Sequence, residues 1–433
     1  MTHQSSLKKI LSNAAIVLSG NMGANIINLL SVAIFAHSMG AEIFGYYVLI
    51  LMYVEILDRL FNFQTWQAFI KYATDFRISK ENHNLSMLLK YTFLVDVISL
   101  TVAFLVASFS ISLFVRFFEL PIEYEPLVQV LVASIFFKIF EISTGIFRLF
   151  DQFKFQTIII IYSAVTKFLL FGVIALTSPT FDNFVYATFV SLFVGFLMKL
   201  LYSKNVLNRN GFEISEVAVA SIDFRLIREK RIFSFIIYNN FDVAVRMVSR
   251  QFDVAILGRL YGAETVGVFS IAKEIASIIA RLTDPIYQAI YPEFALLLAG
   301  GRKLEAKAVA KKVSLYAGLA GIGCYILFAV LGKFAIVIAF GEEFLAAYGV
   351  TLVYFGAIFI AIISLPLVPT LHSKGLAKEA FGNQSLATIG YLIVIYPLTV
   401  KFMAIGASAS YIVFYSIWLL LTLRTIKKHK VFA

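Results

Sequence analysis

Long apolar runs alternate with short polar connections along almost the whole chain. A helix that crosses a bilayer needs about 20 mostly apolar residues. Twelve runs meet that requirement: 12–36, 43–68, 86–113, 126–147, 155–177, 183–203, 232–257, 266–291, 311–331, 347–371, 382–400 and 403–423. The pattern predicts an all-α integral membrane protein with twelve transmembrane helices. The polar stretch 204–231 separates the sixth run from the seventh. It divides the chain into a six-helix lobe over 1–203, a linker, and a second six-helix lobe over 232–433 that ends in a short basic tail. The end of the linker, Ser221 to Arg228, is amphipathic and basic, and suits a short helix on the membrane surface or a solvated loop.

The two lobes carry a repeat. Gly40-Ala41-Glu42-Ile43-Phe44-Gly45-Tyr46-Tyr47 recurs as Gly262-Ala263-Glu264-Thr265-Val266-Gly267-Val268-Phe269, an offset of 222 residues that also maps Arg59 onto Arg281. Each copy follows one apolar run and opens the next. Gly40 and Gly262 can take the left-handed conformation that ends a helix. Glu42 and Glu264 fall in the first turn of the next helix, where its dipole favours negative charge. Gly40, Glu42, Gly45, Gly262, Glu264 and Gly267 are therefore assigned to a structural turn. Duplicated transporters commonly bind substrate at the interface of their repeats.

Composition agrees with the pattern. Of 433 residues, 60% are hydrophobic and 15% charged, against roughly 25% charged in soluble domains. Mean hydropathy is +0.86. The net charge of +11 would point to nucleic acid in a soluble protein. In a membrane protein it reflects cationic cytoplasmic loops, so no nucleic-acid partner is expected. With the N-terminus inside, the inner segments hold Lys8 and Lys9, Lys71, Arg77 and Lys80, the basic linker, Arg302 to Lys312, Lys374 and Lys378, and the tail. The outer segments hold only Arg116, Arg259, Lys333 and Lys401. That asymmetry places both termini in the cytoplasm and makes the two repeats parallel. The first run contains Asn21, Asn25 and Asn28 without a small-residue cleavage site, and reads as a retained span. The single Cys324 excludes an intramolecular disulfide and any cysteine-based metal site.

The chemistry lies in charges placed where lipid should be. The spans hold Arg59, Lys90, Lys138, Lys167, Arg246, Arg250, Lys273 and Arg281, with Glu55, Asp58, Asp96, Glu141, Asp242, Asp253, Glu274 and Asp284. Each charge at mid-bilayer costs about 2.5–3.5 kcal/mol on insertion scales. Lys90 and Asp96 are near enough to an end of the third span to snorkel; the others must face a hydrated interior. Helical spacing collects them into stripes: Glu55, Arg59 and Asn62; Lys138, Glu141 and Arg148; Asp242, Arg246, Arg250 and Asp253; Glu274, Ser277, Arg281 and Asp284. Asn21, Asn25 and Asn28 form a softer stripe that would wall the same cavity. Local ion pairs such as Glu55–Arg59, Asp242–Arg246 and Lys138–Glu141 are the alternative reading. Arg59, Arg246, Arg250 and Arg281, supported by Lys138, Lys167 and Lys273, suit an anion, because arginine stays protonated and grips phosphate oxygens bidentately.

The segments Met39 to Tyr47, Asp253 to Gly258, Gly262 to Ala272 and Ala289 to Pro292, in this order within a twelve-span frame, resemble the oligosaccharide flippase branch of the multidrug/oligosaccharidyl-lipid/polysaccharide (MOP) exporter superfamily. Its members include the Wzx-type flippases of O-antigen, lipopolysaccharide and capsule repeat units. The resemblance spans the whole chain. It implies two six-helix bundles in a V and alternating access. The expected substrate is a polyprenyl-diphosphate-linked oligosaccharide, such as an undecaprenyl diphosphate unit, moved from the inner to the outer leaflet of a bacterial cytoplasmic membrane. A polysaccharide polymerase and a chain-length regulator are the implied protein partners. No cofactor is expected; H⁺ or Na⁺ could drive the cycle, with Glu55, Asp253 and Glu274 as candidate carriers. A cation-coupled drug exporter of the same superfamily is one rival, although it would favour acids over clustered arginines. A membrane-embedded glycan polymerase or transferase is another. It would need a larger aqueous loop and a nucleophile–base pair or metal cluster, so the chain reads as no enzyme.

Overall fold

A computed structural model describes residues 3–283, 290, 293–298 and 300–432; for 3–18, 241–246, 248–250 and 282 it describes the backbone alone. All regular structure among the described residues is helical. In chain order the helices are α1 (His3–Phe61), α2 (Trp66–Ile78), α3 (Asn82–Phe117), α4 (Glu125–Ala133), α5 (Ile142–Leu149), α6 (Phe153–Thr177), α7 (Phe181–Arg209), α8 (Ile214–Val219), α9 (Phe224–Glu229), α10 (Ile232–Leu282), α11 (Lys303–Phe340), α12 (Ala347–Ile363), α13 (Leu367–Ser373) and α14 (Ala377–Lys428).

Nine helical segments among the described residues are long and apolar enough to cross a membrane. Three contain a reversal, which makes twelve passes. In α10 the break is Gly262, at φ 76° and ψ −177°, and Lys273 meets Asp253 across it. In α14 it is Met403, where Tyr391 meets Tyr411 and Asn383 meets Thr425. Gly40 gives α1 nearly the same geometry as Gly262, at φ 77° and ψ 176°. Positive φ was expected at both glycines, but ψ near 180° is not the left-handed helical conformation. It is an extended mirror region open essentially to glycine alone, and it turns the chain more abruptly than a helix cap would.

By internal packing the chain forms two compact units. One comprises Met1–Ser38 with Ile50–Gln251, the other Met39–Leu49 with Phe252–Ala433. In the first unit, α6 packs along α7, and α2 packs on α3 and α5. Lipid removes the hydrophobic drive between helices, so close packing holds them together. Aromatic rings supply much of it: Phe35 stacks on Phe184 at 4.5 Å, Phe171 meets Phe184 edge-on at 4.9 Å, and Tyr53 stacks on Phe114 at 4.3 Å. In the second unit α12 lies between α11 and α14.

The repeated motif owes its remaining glycines to a helix crossing in the second unit. A Cβ on Gly45 would lie 1.8 Å from the Ala263 carbonyl oxygen, and one on Gly267 would lie 2.1 Å from that of Ala41. Each copy of the motif thus presents small residues four apart, Ala41 and Gly45 or Ala263 and Gly267, to the backbone of the other. Small residues at that spacing let membrane helices approach closely. Glu343 accepts a hydrogen bond from the Ala41 amide at 2.8 Å, capping the helix that starts after Gly40. Glu42 and Glu264 are exposed, and Glu42 accepts from the Tyr46 hydroxyl at 2.9 Å.

The linker is partly helical. In α9 the Asp223 carboxylate caps the first turn, accepting from the Arg225 and Leu226 amides at 2.8 and 3.1 Å.

Candidate functional site

Two membrane-spanning segments of the first unit are interrupted at the same cluster of charges. α1 stops at Phe61 and α2 starts at Trp66. The cause is local: the Asn62 side chain accepts from the Gln64 amide at 3.0 Å, and Gln64 has φ 46°. Asparagine competes in this way with helical hydrogen bonding. The Asn62 carbonyl accepts from the Asn240 side chain of α10 at 3.0 Å. The second interruption is a 3₁₀ stretch, Ser134–Glu141, between α4 and α5, with Phe140 off helical geometry. Mid-helix 3₁₀ segments often mark hinges or strained functional sites, and discontinuous helices build the sites of many transporters.

Lys138 lies in that 3₁₀ stretch. Its ammonium is 3.2 Å from Glu141 Oε1 and 3.8 Å from Asp58 Oδ2. The Asn62 side-chain amide donates to Asp58 Oδ1 at 3.1 Å and to Glu141 Oε2 at 3.4 Å. One cation therefore faces two carboxylates and an amide, the Asp58 carboxylate almost wholly buried and the Lys138 side chain 34% exposed. Below it, Glu141 and Lys199 line a cavity of about 250 Å³ with Trp66 and Arg148; the Arg148 guanidinium sits 4.7 Å from the centre of the Trp66 ring. Arg59 is one helical turn from Glu55 but only 3.9 Å from it at best, with its side chain 34% exposed. Glu55 instead accepts from the Gln251 amide at 2.8 Å.

Asp96 does not snorkel. It is 2% exposed, Oδ2 accepts from the Thr65 hydroxyl at 2.8 Å, and Oδ1 has no hydrogen-bond partner among the described residues. The helix break at 62–65 turns Thr65 toward it, which spacing along a continuous helix would not show.

The second unit holds a separate charged pair. Asp253 is fully buried. Lys273 reaches its Oδ2 at 2.7 Å, the Tyr411 hydroxyl donates to the same oxygen at 2.9 Å, and the Val254 amide donates to Oδ1 at 2.7 Å. The rings of Tyr354 and Tyr391 stand 4.9 and 5.1 Å from that of Tyr411. Asp253, a candidate ion carrier, and Lys273, a candidate anion ligand, thus meet as an ion pair whose carboxylate is fully buried beside an aromatic wall.

The other candidates are placed as follows. Lys167 is half-buried in α6 with its ammonium 5.2 Å from the Phe171 ring centre. Arg281 and Glu274 are half-buried in α10 and make no ion pair among the described residues. Asn21, Asn25 and Asn28 are half-buried along α1. The side chains of Arg246, Arg250 and Asp242, and all of Asp284, lie outside the described residues. Sequence spacing passed over Asp58, Asn240 and Tyr411 as functional groups. Asp58 lies three residues after Glu55 and four before Asn62, so it shares their face, and the hydrogen bond from Asn62 marks it as part of the same stripe.

Twelve membrane passes and charged clusters at interrupted helices define a multi-pass membrane protein with ionisable groups set inside its spans. Residues 10–297 match the polysaccharide biosynthesis protein family, and the chain belongs to that family. It is 26% identical to the inner membrane protein YghQ of Escherichia coli (strain K12), over 79% of this chain and 95% of that one. It is 29% identical to a protein of the same strain named "Putative O-antigen transporter", over 36% of this chain and 37% of the other. The fold is that of the MOP exporters. The lipid II flippase MurJ, in an inward closed conformation, aligns over 96% of this chain and 89% of its own at a TM-score of 0.75 and 14% identity. A multidrug resistance MATE family transporter of the MOP superfamily, in an inward-facing conformation, aligns over 94% and 95% at 0.73 and 13%.

Proposed function

We propose that the chain is a flippase that carries a polyprenyl-diphosphate-linked oligosaccharide from the inner to the outer leaflet of a bacterial cytoplasmic membrane by alternating access. Family membership supports the polysaccharide setting. The observation that carries the substrate class is the availability of intramembrane cations. Arg59 is a third exposed with only a long contact to Glu55, and Arg281 is half-buried in α10 with no ion pair among the described residues. A diphosphate needs fixed, desolvated positive charge, and arginine supplies it with bidentate geometry. Arg59, Arg246, Arg250 and Arg281 are the proposed diphosphate ligands, with Lys138 and Lys167 adding field. Asn21, Asn25 and Asn28 offer amides to sugar hydroxyls.

Lys273 and Lys138 fit direct contact less well, because Asp253 already neutralises the one and Glu141 with Asp58 the other. The same pairing removes Asp253 as a simple Na⁺ ligand: its oxygens are taken by Lys273, Tyr411 and an amide. If H⁺ or Na⁺ drives the cycle, the Asp58–Glu141 pair and Glu55 are better placed, since an incoming cation there would compete with Lys138 for two carboxylates. Membrane lipid, a polymerase and a chain-length regulator are the proposed partners.

The test is chemical analysis of cells lacking the gene. Complete lipid-linked units should accumulate and surface glycan should fall, both restored by the wild-type chain and not by Arg59→Ala. Normal surface glycan with no accumulated intermediate would move the reading to export of another substrate.

A further inference from the structure

At the linker end of the first unit, α3, α5, α7 and α8 enclose a crevice of about 330 Å³. Its walls are almost wholly apolar, formed by residues such as Leu89, Phe93, Ile146, Leu207 and Val217. The volume falls in the range of small-ligand pockets. Three polar residues interrupt the lining. Lys90 is half-buried and donates to the Ala220 carbonyl of the linker at 2.9 Å. Lys204, on the last turns of α7, is exposed. Ser203 is 1% exposed, and its buried hydroxyl has no hydrogen-bond partner among the described residues. The acid on α8, Glu216, lines a neighbouring cavity with His83 and Ser86 instead of this one.

An apolar slot with two lysines at its edge matches an amphiphile with a hydrocarbon tail and a phosphate head. We infer that the crevice binds an anionic phospholipid, with one acyl chain inside and the phosphate held by Lys90 and Lys204. The charge pattern selects against a zwitterionic head, whose ammonium would oppose the two lysines. Because α8 forms one wall and Lys90 tethers Ala220 beside it, the lipid would fasten the linker to the bundle. The site rests on the membrane-embedded fold alone, and its failure leaves the transport reading untouched.

The test uses the full-length protein in nanodiscs containing photoactivatable phosphatidylglycerol or phosphatidylethanolamine, with the reactive group on the acyl chain, followed by peptide mapping. Phosphatidylglycerol should label peptides of α3, α5, α7 and α8. Lys90→Gln keeps a donor for the Ala220 carbonyl and removes the charge. It and the exposed Lys204→Gln should each lower labelling about five-fold. Ala218→Trp, at an exposed position lining the crevice, should block labelling without disturbing the core. Equal labelling by the two lipids, or lysine variants labelled like wild type, would overturn the inference. Displacement of phosphatidylglycerol by polyprenyl diphosphate at lower concentration would also overturn it and assign the crevice to the transported lipid.

Discussion

Adding a methyl group at Gly45 should force apart the two copies of the repeated motif. The new Cβ would lie 1.8 Å from the Ala263 carbonyl oxygen, and the matching Cβ at Gly267 would lie 2.1 Å from the Ala41 oxygen. Carbon–oxygen contacts settle at about 3.3 Å or more, so the backbones must part by roughly 1.2–1.5 Å. Overpacking of this kind costs about 1–3 kcal/mol. Both methyls act on one crossing, so the second meets helices that the first has already separated. The double variant Gly45→Ala/Gly267→Ala should therefore cost less than the sum of the singles by about 0.5 kcal/mol or more. Gly23→Ala is the control: nothing lies within 4 Å of its Cβ position, and alanine in a helix interior gains about 0.5–1 kcal/mol over glycine. Thermal unfolding of the purified protein in one detergent, all four variants beside wild type, reads the order directly. Gly45→Ala melting with wild type, or a double variant equal to the sum of the singles, would refute the crossing as the reason for these glycines.

Lys273→Met should destabilise by about 3–5 kcal/mol, because it strands a fully buried Asp253, and Lys273→Met/Asp253→Asn should recover much of that loss in the same unfolding assay. Glu343→Ala removes the carboxylate that caps the Ala41 amide and should cost about 0.5–2 kcal/mol, with Glu343→Gln losing less. Arg59→Lys, Arg246→Lys, Arg250→Lys and Arg281→Lys keep the charge and lose the fork; if these residues grip a diphosphate bidentately, complementation of a deletion strain should fall in each, and normal export by all four would count against that contact.

Much of the fold could be read from the residues because lipid imposes simple demands. Apolar run length sets the number of passes. The Gly40 and Gly262 copies mark where α1 and α10 reverse. The reversal in α14 carried no such mark, since Met403 takes a positive φ without glycine or asparagine beside it. The interruptions at 62–65 and 134–141 were hidden for a similar reason. Neither contains glycine or proline; one is made by a side-chain hydrogen bond of Asn62 and the other by a tightened 3₁₀ turn. Spacing within one segment correctly joined Lys138 to Glu141, three residues apart on a single stripe. It could not join Lys138 to Asp58, Thr65 to Asp96 or Lys273 to Asp253, because those partners meet across helices or across a reversal. Asp58 is buried beside Lys138 of another segment, and no local pattern encodes that.

The proposed role of the fixed membrane cations is to serve a diphosphate-linked glycan. It is tested most directly by reconstituting the protein in liposomes that carry a fluorescent polyprenyl-diphosphate oligosaccharide in one leaflet, and following its exposure to a membrane-impermeant quencher on the other side. Translocation should depend on the protein and fail in Arg59→Ala and Arg281→Ala, and a matched glycolipid without the diphosphate should move little. No translocation above empty liposomes, or equal movement of the glycolipid lacking phosphate, would contradict it.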